Sequence, residues 1–220
     1  MTKTESLQIQ LLPFLLLRKN FYQMIYLLFS EPNMEVFEQI QSNGNLQEIK
    51  EIHEGGKILA AFFEHLSCSQ YNKVQEEFQR LFIGPGPLVA PPWESFYRSK
   101  EQLLFEEWND QVREQFHQFG LKSIKENNEP DDHLLLELEF MIFLLDLCLQ
   151  ETETAIIAEL LITQVRFLSE HLTVWIPYFC ERVIQNTTSQ LYLGAALLLE
   201  DFLHFDLQTI SELKEVVAHV

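Results

Sequence analysis

The chain has 220 residues, and 47% of them are hydrophobic, enough to bury a sizeable core and to exclude a disordered protein. Its net charge is −18, with 15 Lys and Arg against 33 Asp and Glu; such a surface repels phosphate backbones, argues against nucleic-acid binding and suits a basic partner. The 7 glycines are few, and the text between breakers is rich in Leu, Glu, Gln and Phe, which favours an all-α fold.

In chain order, the spacing of Phe14, Leu17, Phe21, Ile25 and Leu28 predicts a first helix over about Gln8–Phe29. Its apolar run Leu11–Leu17 is short for a membrane span, is broken by Pro13 and carries no small-residue cleavage site, so neither a signal peptide nor a transmembrane segment is expected. Ser30 is expected to cap a short second helix reaching about Gln41. Asn43-Gly44-Asn45 reads as a turn, and Asn45 with Glu48 as a capping pair that opens one helix through about Leu66. After a break at Ser67–Ser69, a further helix runs to Phe82 with Val74, Phe78, Leu81 and Phe82 on one face.

That helix meets a stretch no helix survives: Gly84, Pro85, Gly86, Pro87, Pro91 and Pro92. The loop is stiff, yet it is apolar, with Leu88, Val89, Trp93, Phe96 and Tyr97. A long rigid apolar loop inside a helical protein reads as functional. Leu104, Trp108, Val112, Phe116 and Phe119 mark the next helix, with Gly120 at its C-terminal end. A polar connector, Ile124–Glu129, leads to Pro130, Asp131 and Asp132, which are expected in the first turn of the following helix, where acids suit the positive end of the dipole.

Leu134–Leu149 is apolar nearly all round and predicts a central buried helix; Glu137, Glu139 and Asp146 within it argue against a place in lipid. Ala155–Phe167 and Thr173–Ile184 read as two more helices. Thr187 with Gln190 is expected to box the start of a helix through Leu203, and Asp206 to cap a last one buried through Leu207, Ile210, Leu213 and Val217. The result is an all-α, single-domain bundle over 1–220, of roughly ten helices with a Gly/Pro-rich loop in mid-chain.

Signatures of chemistry are mostly absent. There is no GxGxxG, GxxxxGK[ST], GxSxG or HExxH, and no strand pattern. Cys68, Cys148 and Cys180 lack CxxC spacing and read as thiols of a reducing compartment rather than a disulfide framework or zinc site. His133 with Glu137 and Glu200 with His204 stand four apart, but such pairs arise by chance and no metal site is assigned. Glu129-Pro130-Asp131-Asp132-His133 is a compact acidic cluster beside an imidazole, just ahead of the most apolar helix.

Two motifs together carry a resemblance. GPGPLVAPPWESFY and, after the next helix, EPDDHLLLELEFM resemble the TorD/DmsD/NarJ family of redox-enzyme maturation chaperones, most closely its DmsD-like branch. That branch pairs a PPWxSxY-type segment, here Pro91, Pro92, Trp93, Ser95 and Tyr97, with an E-P-x-D-H helix start, here Glu129, Pro130, Asp132 and His133. Its preceding F-x-x-L-F pattern is met by Phe78, Leu81 and Phe82.

The resemblance implies a cytoplasmic chaperone of the Tat pathway, not an enzyme and without a cofactor. Such a protein binds the twin-arginine signal peptide and the apo catalytic subunit of a molybdopterin oxidoreductase of the dimethyl sulfoxide reductase kind, an enzyme of anaerobic respiration. It admits a monomer or a domain-swapped dimer. The residues fit that task on their own terms: a basic, then apolar, peptide needs carboxylates beside an apolar groove. Glu129, Asp131 and Asp132 are expected as the acidic wall, with His133 beside them as a competitor for the acids or a donor to the loop. Phe82, Leu88, Trp93, Phe96 and Tyr97 are expected as the apolar floor, with Leu81 among the contact residues beside them. Pro91, Pro92 and Ser95 complete the predicted contact set, the prolines holding the floor open. The alternative is a helical module or enzyme that binds a small molecule such as molybdopterin or a guanine nucleotide.

Overall fold

A computed structural model of the protein describes residues 3–42, 45–124 and 129–218. Its helices are α1 (Lys3–Phe29), α2 (Met34–Ser42), α3 (Asn45–Ile49), α4 (Glu54–Glu64), α5 (Cys68–Phe78), α6 (Glu94–Arg98), α7 (Glu107–Gln118), α8 (Leu134–Gln150), α9 (Thr154–Phe167), α10 (Thr173–Asn186) and α11 (Gln190–Ala218). Two π-helical turns, Gln79–Ile83 and Leu168–Leu172, adjoin α5 and link α9 to α10. The fold is all-α; among the described residues β-pairing is confined to the single bridge between Trp93 and His133.

The long helices α1, α8, α9, α10 and α11 pack around one another, and α4 lies across α11. The core they enclose holds Trp175, Tyr22, Tyr192, Phe140, Phe167 and Phe179, all fully buried. Helix α1 buries Ile25 and Leu28 as its apolar spacing predicts, but its N-terminal half turns a different face inward. Leu11, Leu15, Arg18, Tyr22 and Ile25 are buried, whereas Leu17 is exposed. The reason is Arg18. Its guanidinium forms a fork on Asp206 at 2.6 and 2.8 Å and donates to Gln164 at 2.8 Å, while Tyr22 donates to Asp206 at 2.7 Å. A buried pair of this kind fixes how α1, α9 and α11 are seated more than it adds net stability.

The same pairing corrects the expected last helix. Asp206 is spent on Arg18 and caps nothing, so α11 runs unbroken for 29 residues. Thr187 opens no helix either: it donates to Glu77 at 2.9 Å and α11 begins at Gln190. The two helices expected at 155–184 are joined by the second π turn, in which the Thr173 N–H reaches the Leu168 carbonyl and His171 is buried.

Further boundaries differ near the start. Asn33, not Ser30, caps α2, its Oδ1 accepting from Val36 N–H at 2.9 Å; Ser30 instead donates back to the Tyr26 carbonyl. The single helix expected through Leu66 is two. His53 caps α4, its Nδ1 accepting from Gly56 N–H at 3.3 Å. Residues 43 and 44 of the expected turn, 125–128 of the expected connector and the Asn45 side chain of the expected capping pair lie outside what is described.

Helices α4 and α11 touch backbone to backbone. A Cβ on Gly55 would stand 2.6 Å from the Gly194 carbonyl oxygen, and one on Gly194 would stand 2.8 Å from that of Gly55. Helix α7 ends as expected at Gly120, with φ of +71°. Gly120 N–H donates to the His117 carbonyl at 3.0 Å and Leu121 N–H to that of Phe116 at 3.0 Å, the pair of hydrogen bonds of a Schellman ending. That turn sends the chain back toward α8 and frames one side of the cavity described next.

Candidate functional site

The Gly/Pro loop is folded back on its own helix by a bond from Ala90 N–H to the Leu81 carbonyl at 3.0 Å, and Ala90, Pro91 and Pro92 are buried. It then pairs with the acidic turn. Leu134 N–H donates to the Pro92 carbonyl at 2.9 Å and Glu94 N–H to the Asp132 carbonyl at 3.0 Å. The two stretches singled out in the sequence are therefore neighbours, and the Trp93 ring stands edge-on to the His133 ring at 5.3 Å.

Asp132 reaches across this seam to start α6. Its Oδ2 accepts from Ser95 N–H at 2.6 Å and also from Ser95 Oγ–H. A five-residue helix has no way to satisfy its own first N–H groups; here a residue 37 positions away does so through backbone and side chain together. Burial pushes the Asp132 carboxyl above its ordinary range, and the Ser95 bonds work against that shift. Asp131 is equally committed: Arg113 Nε donates to it at 2.5 Å, and its own N–H donates to Asn109 Oδ1 at 2.7 Å, tying the turn to α7.

Behind Trp93 lies a buried polar layer. Glu94 is fully buried, held by Arg98 and by His171 Nδ1 at 2.9 Å. Glu137, also fully buried, accepts from Trp175 Nε1 at 3.1 Å. Desolvation, with Glu94 adding to it, raises the Glu137 carboxyl well above the ordinary range and favours its neutral form.

In front of Trp93 a cavity of about 560 Å³ opens. Its floor is one face of α8: Leu135, Leu136, Glu139, Phe140 and Phe143. Phe116 and Leu121 form a wall, Tyr26 of α1 closes one side, and Lys122, Ser123, Glu129 and His133 stand at the polar lining. His133 is the N-cap of α8, its Nδ1 accepting from Leu135 N–H at 3.1 Å. Such a hollow, mostly aromatic with a few charged groups, has the character of a binding site for an apolar ligand bearing polar ends.

The expected contact residues fall into two groups. Trp93, Glu129 and His133 line the cavity. Asp131 and Asp132 sit behind it, at 1% and 0% exposure, bonded as just described. Leu81 and Phe82 belong to the core, Phe82 packing on Phe29, Phe78, Phe179 and Tyr192. Ser95 is buried in the α6 cap, and Tyr97 stacks on Trp175 at 5.6 Å. Phe96 packs on Tyr97 and lies under the Arg182 guanidinium at 5.0 Å. Pro91, Pro92 and the half-buried Leu88 shape the loop but do not line the cavity.

Tyr26, Phe116, Glu139, Phe140 and Phe143 line the cavity without having been expected as ligand contacts. The signal was the 136–139/140–143 stripe, hidden because a helix apolar all round reads as wholly buried.

The profile of the nitrate reductase delta subunit family matches residues 50–181, which span the loop, the acidic turn and the cavity floor. The chain belongs to this family. A Vibrio cholerae relative, chaperone protein TorD, is 34% identical over 137 residues, 62% of this chain and 62% of that relative. The TorD of Aliivibrio salmonicida is 24% identical over 76% of this chain and 79% of its own length. A Haemophilus influenzae relative, named probable Tat proofreading chaperone DmsD, is 30% identical over 57% of this chain and 56% of its own. A provisionally assigned redox enzyme maturation protein of Archaeoglobus fulgidus shares the fold: its crystal structure superposes with a TM-score of 0.59 at 21% identity, over 84% of this chain and 93% of that one. The resemblance carried by the loop and the E-P-x-D-H turn thus holds. Among the described residues no helix is long and apolar enough to cross a membrane.

Proposed function

We propose that this member of the nitrate reductase delta subunit family is a maturation chaperone of a molybdopterin oxidoreductase and acts in the cytoplasm. It binds the twin-arginine signal peptide of its client through the cavity in front of Trp93, and holds the apo catalytic subunit until its cofactor is in place. The observation that carries this reading is the cavity itself. An aromatic hollow lies directly beside carboxylates, on a chain of net charge −18. The names of the relatives point the same way.

In this reading the apolar run of the peptide fills the space over Phe140, Phe143 and Phe116, and its arginines meet Glu129. Asp131 and Asp132 act indirectly, by holding the Trp93–His133 seam in place. The test is calorimetric titration with a twin-arginine signal peptide, beside versions with both arginines changed to lysine and with the apolar run made polar. Micromolar or tighter binding that weakens in both controls is expected; binding indifferent to both refutes the mechanism. Trp93→Ala should weaken the wild-type interaction by about 2 kcal/mol, the loss of an aromatic anchor.

A further inference from the structure

Helix α8 is unbroken for 17 residues, and the cavity takes up only the first part of one of its faces. After Leu136, Phe140 and Phe143, the next positions at helical spacing on that face are Leu147 and Gln150. These two line a second hollow of about 480 Å³, together with Ile156 and Leu160 of α9. Phe119, just past the end of α7, stands at the junction. It lines the second hollow, and its ring packs on Phe140 at 5.7 Å and Phe143 at 6.1 Å, both of which line the first. The two spaces are therefore successive along one face of α8. From Leu136 to Gln150 that face runs about 21 Å at 1.5 Å per residue. The second hollow offers apolar contact rather than a free charge. Glu151 in its lining accepts from Thr152 N–H at 2.6 Å and from Glu153 N–H at 2.9 Å, and so serves the start of α9. With Glu159 also in the lining, an acidic occupant is disfavoured.

We propose that the second hollow is a further binding site for the same ligand: it takes the far part of the peptide's apolar run, beyond the part seated over Phe140 and Phe143. This rests on the peptide-binding reading and adds a length rule to it. About 21 Å is spanned by roughly six residues of extended chain or fourteen of helix. A peptide whose arginines meet Glu129 reaches Ile156 only when its apolar run is that long; a shorter run leaves the second hollow to water. One ligand across both spaces follows from their continuity through Phe119. A second copy of this chain suits the hollow poorly, because each copy carries a charge of −18 and the lining itself holds two carboxylates.

The test uses the full chain and two synthetic peptides with the same leading arginine pair and the same polar tail. Between these, one has an apolar run of about four residues and the other of about fourteen. Titration is expected to show the long peptide binding wild type about tenfold tighter than the short one. That gain should be lost in Ile156→Glu and kept in Ile162→Glu, a control on α9 that is exposed and lies outside the hollow. Ile156 is 38% exposed in the first turn of α9, where a glutamate suits the helix dipole, so Ile156→Glu should melt near wild type. Independently of any variant, a photoreactive phenylalanine at about the eighth apolar position should attach to wild type within residues 143–163. A gain that survives in Ile156→Glu, attachment elsewhere, or no gain from length in wild type overturns the proposal, while binding of the short peptide keeps the peptide reading. A wild-type dimer in sedimentation that Ile156→Glu dissolves gives the hollow to a second copy and overturns the proposal too. Failure of wild type to bind either peptide overturns the peptide reading as well.

Discussion

Asp132 shows what a single carboxylate does when it is taken out of solvent. It holds Ser95 by two hydrogen bonds at the start of α6, and through its backbone it holds Glu94. Asp132→Ala leaves buried donors without partners and should cost about 2 kcal/mol in urea denaturation. Peptide affinity should fall with it, because the Trp93 wall loses its anchor, but the salt dependence of binding should stay that of wild type. Glu137 makes the complementary case. Its folded-state carboxyl lies well above its usual value of 4.5, so below about pH 4.5 both folded and unfolded chains hold the proton and burial costs no ionisation. As the pH rises past that value the unfolded chain ionises and the folded one does not, and stability falls by up to about 1.4 kcal/mol per pH unit until the folded group titrates. Glu137→Gln removes this loss. The stability of the variant relative to wild type should therefore grow between pH 5 and pH 8, measured as the urea midpoint at each. A constant difference across that range refutes the assignment.

Among elements, the crossing of α4 and α11 depends on the absence of side chains at Gly55 and Gly194. In an open helix a glycine changed to alanine gains roughly 0.5–1 kcal/mol. At this crossing the added methyl meets a carbonyl oxygen of the other helix, so Gly194→Ala should lose about 1–3 kcal/mol. The sign of the change in thermal midpoint decides the matter. The π turn at Leu168–Leu172 is a comparable device: it joins α9 to α10 without a break in the helical backbone while burying His171 where it can reach Glu94. Periodicity read α8 as the centre of the bundle, and it packs against α1 and α9 as such. Its Leu136–Phe143 stripe nevertheless lines the cavity, where Phe116 and Phe119 at the end of α7 pack against only part of it.

For the molecule as a whole, the charge of −18 acts at a distance that the cavity does not. Long-range attraction of a cationic peptide is screened over about 8 Å at physiological ionic strength. Its association rate should therefore fall several-fold between 20 and 300 mM salt in stopped-flow measurements, while its dissociation rate, set by apolar contact in the cavity, changes little. A dissociation rate that carries the salt dependence contradicts a ligand held mainly by the aromatic floor.

By itself the sequence determined the helical class, the rigid loop, the acidic turn beyond it and the family that these two motifs mark. Each rests on local chemistry: proline and glycine stop helices, and apolar spacing makes them. Only the tertiary structure decided which carboxylates face a ligand and which hold the frame. Asp132 and Glu129 look alike in sequence, yet one is spent on a serine 37 positions away and the other lines the cavity. The same holds for Asp206, a helix cap by its neighbours and an arginine's partner by the fold. The choice of partner for a charged side chain depends on what packing brings within about 3 Å of it, and that is not written in its flanking residues.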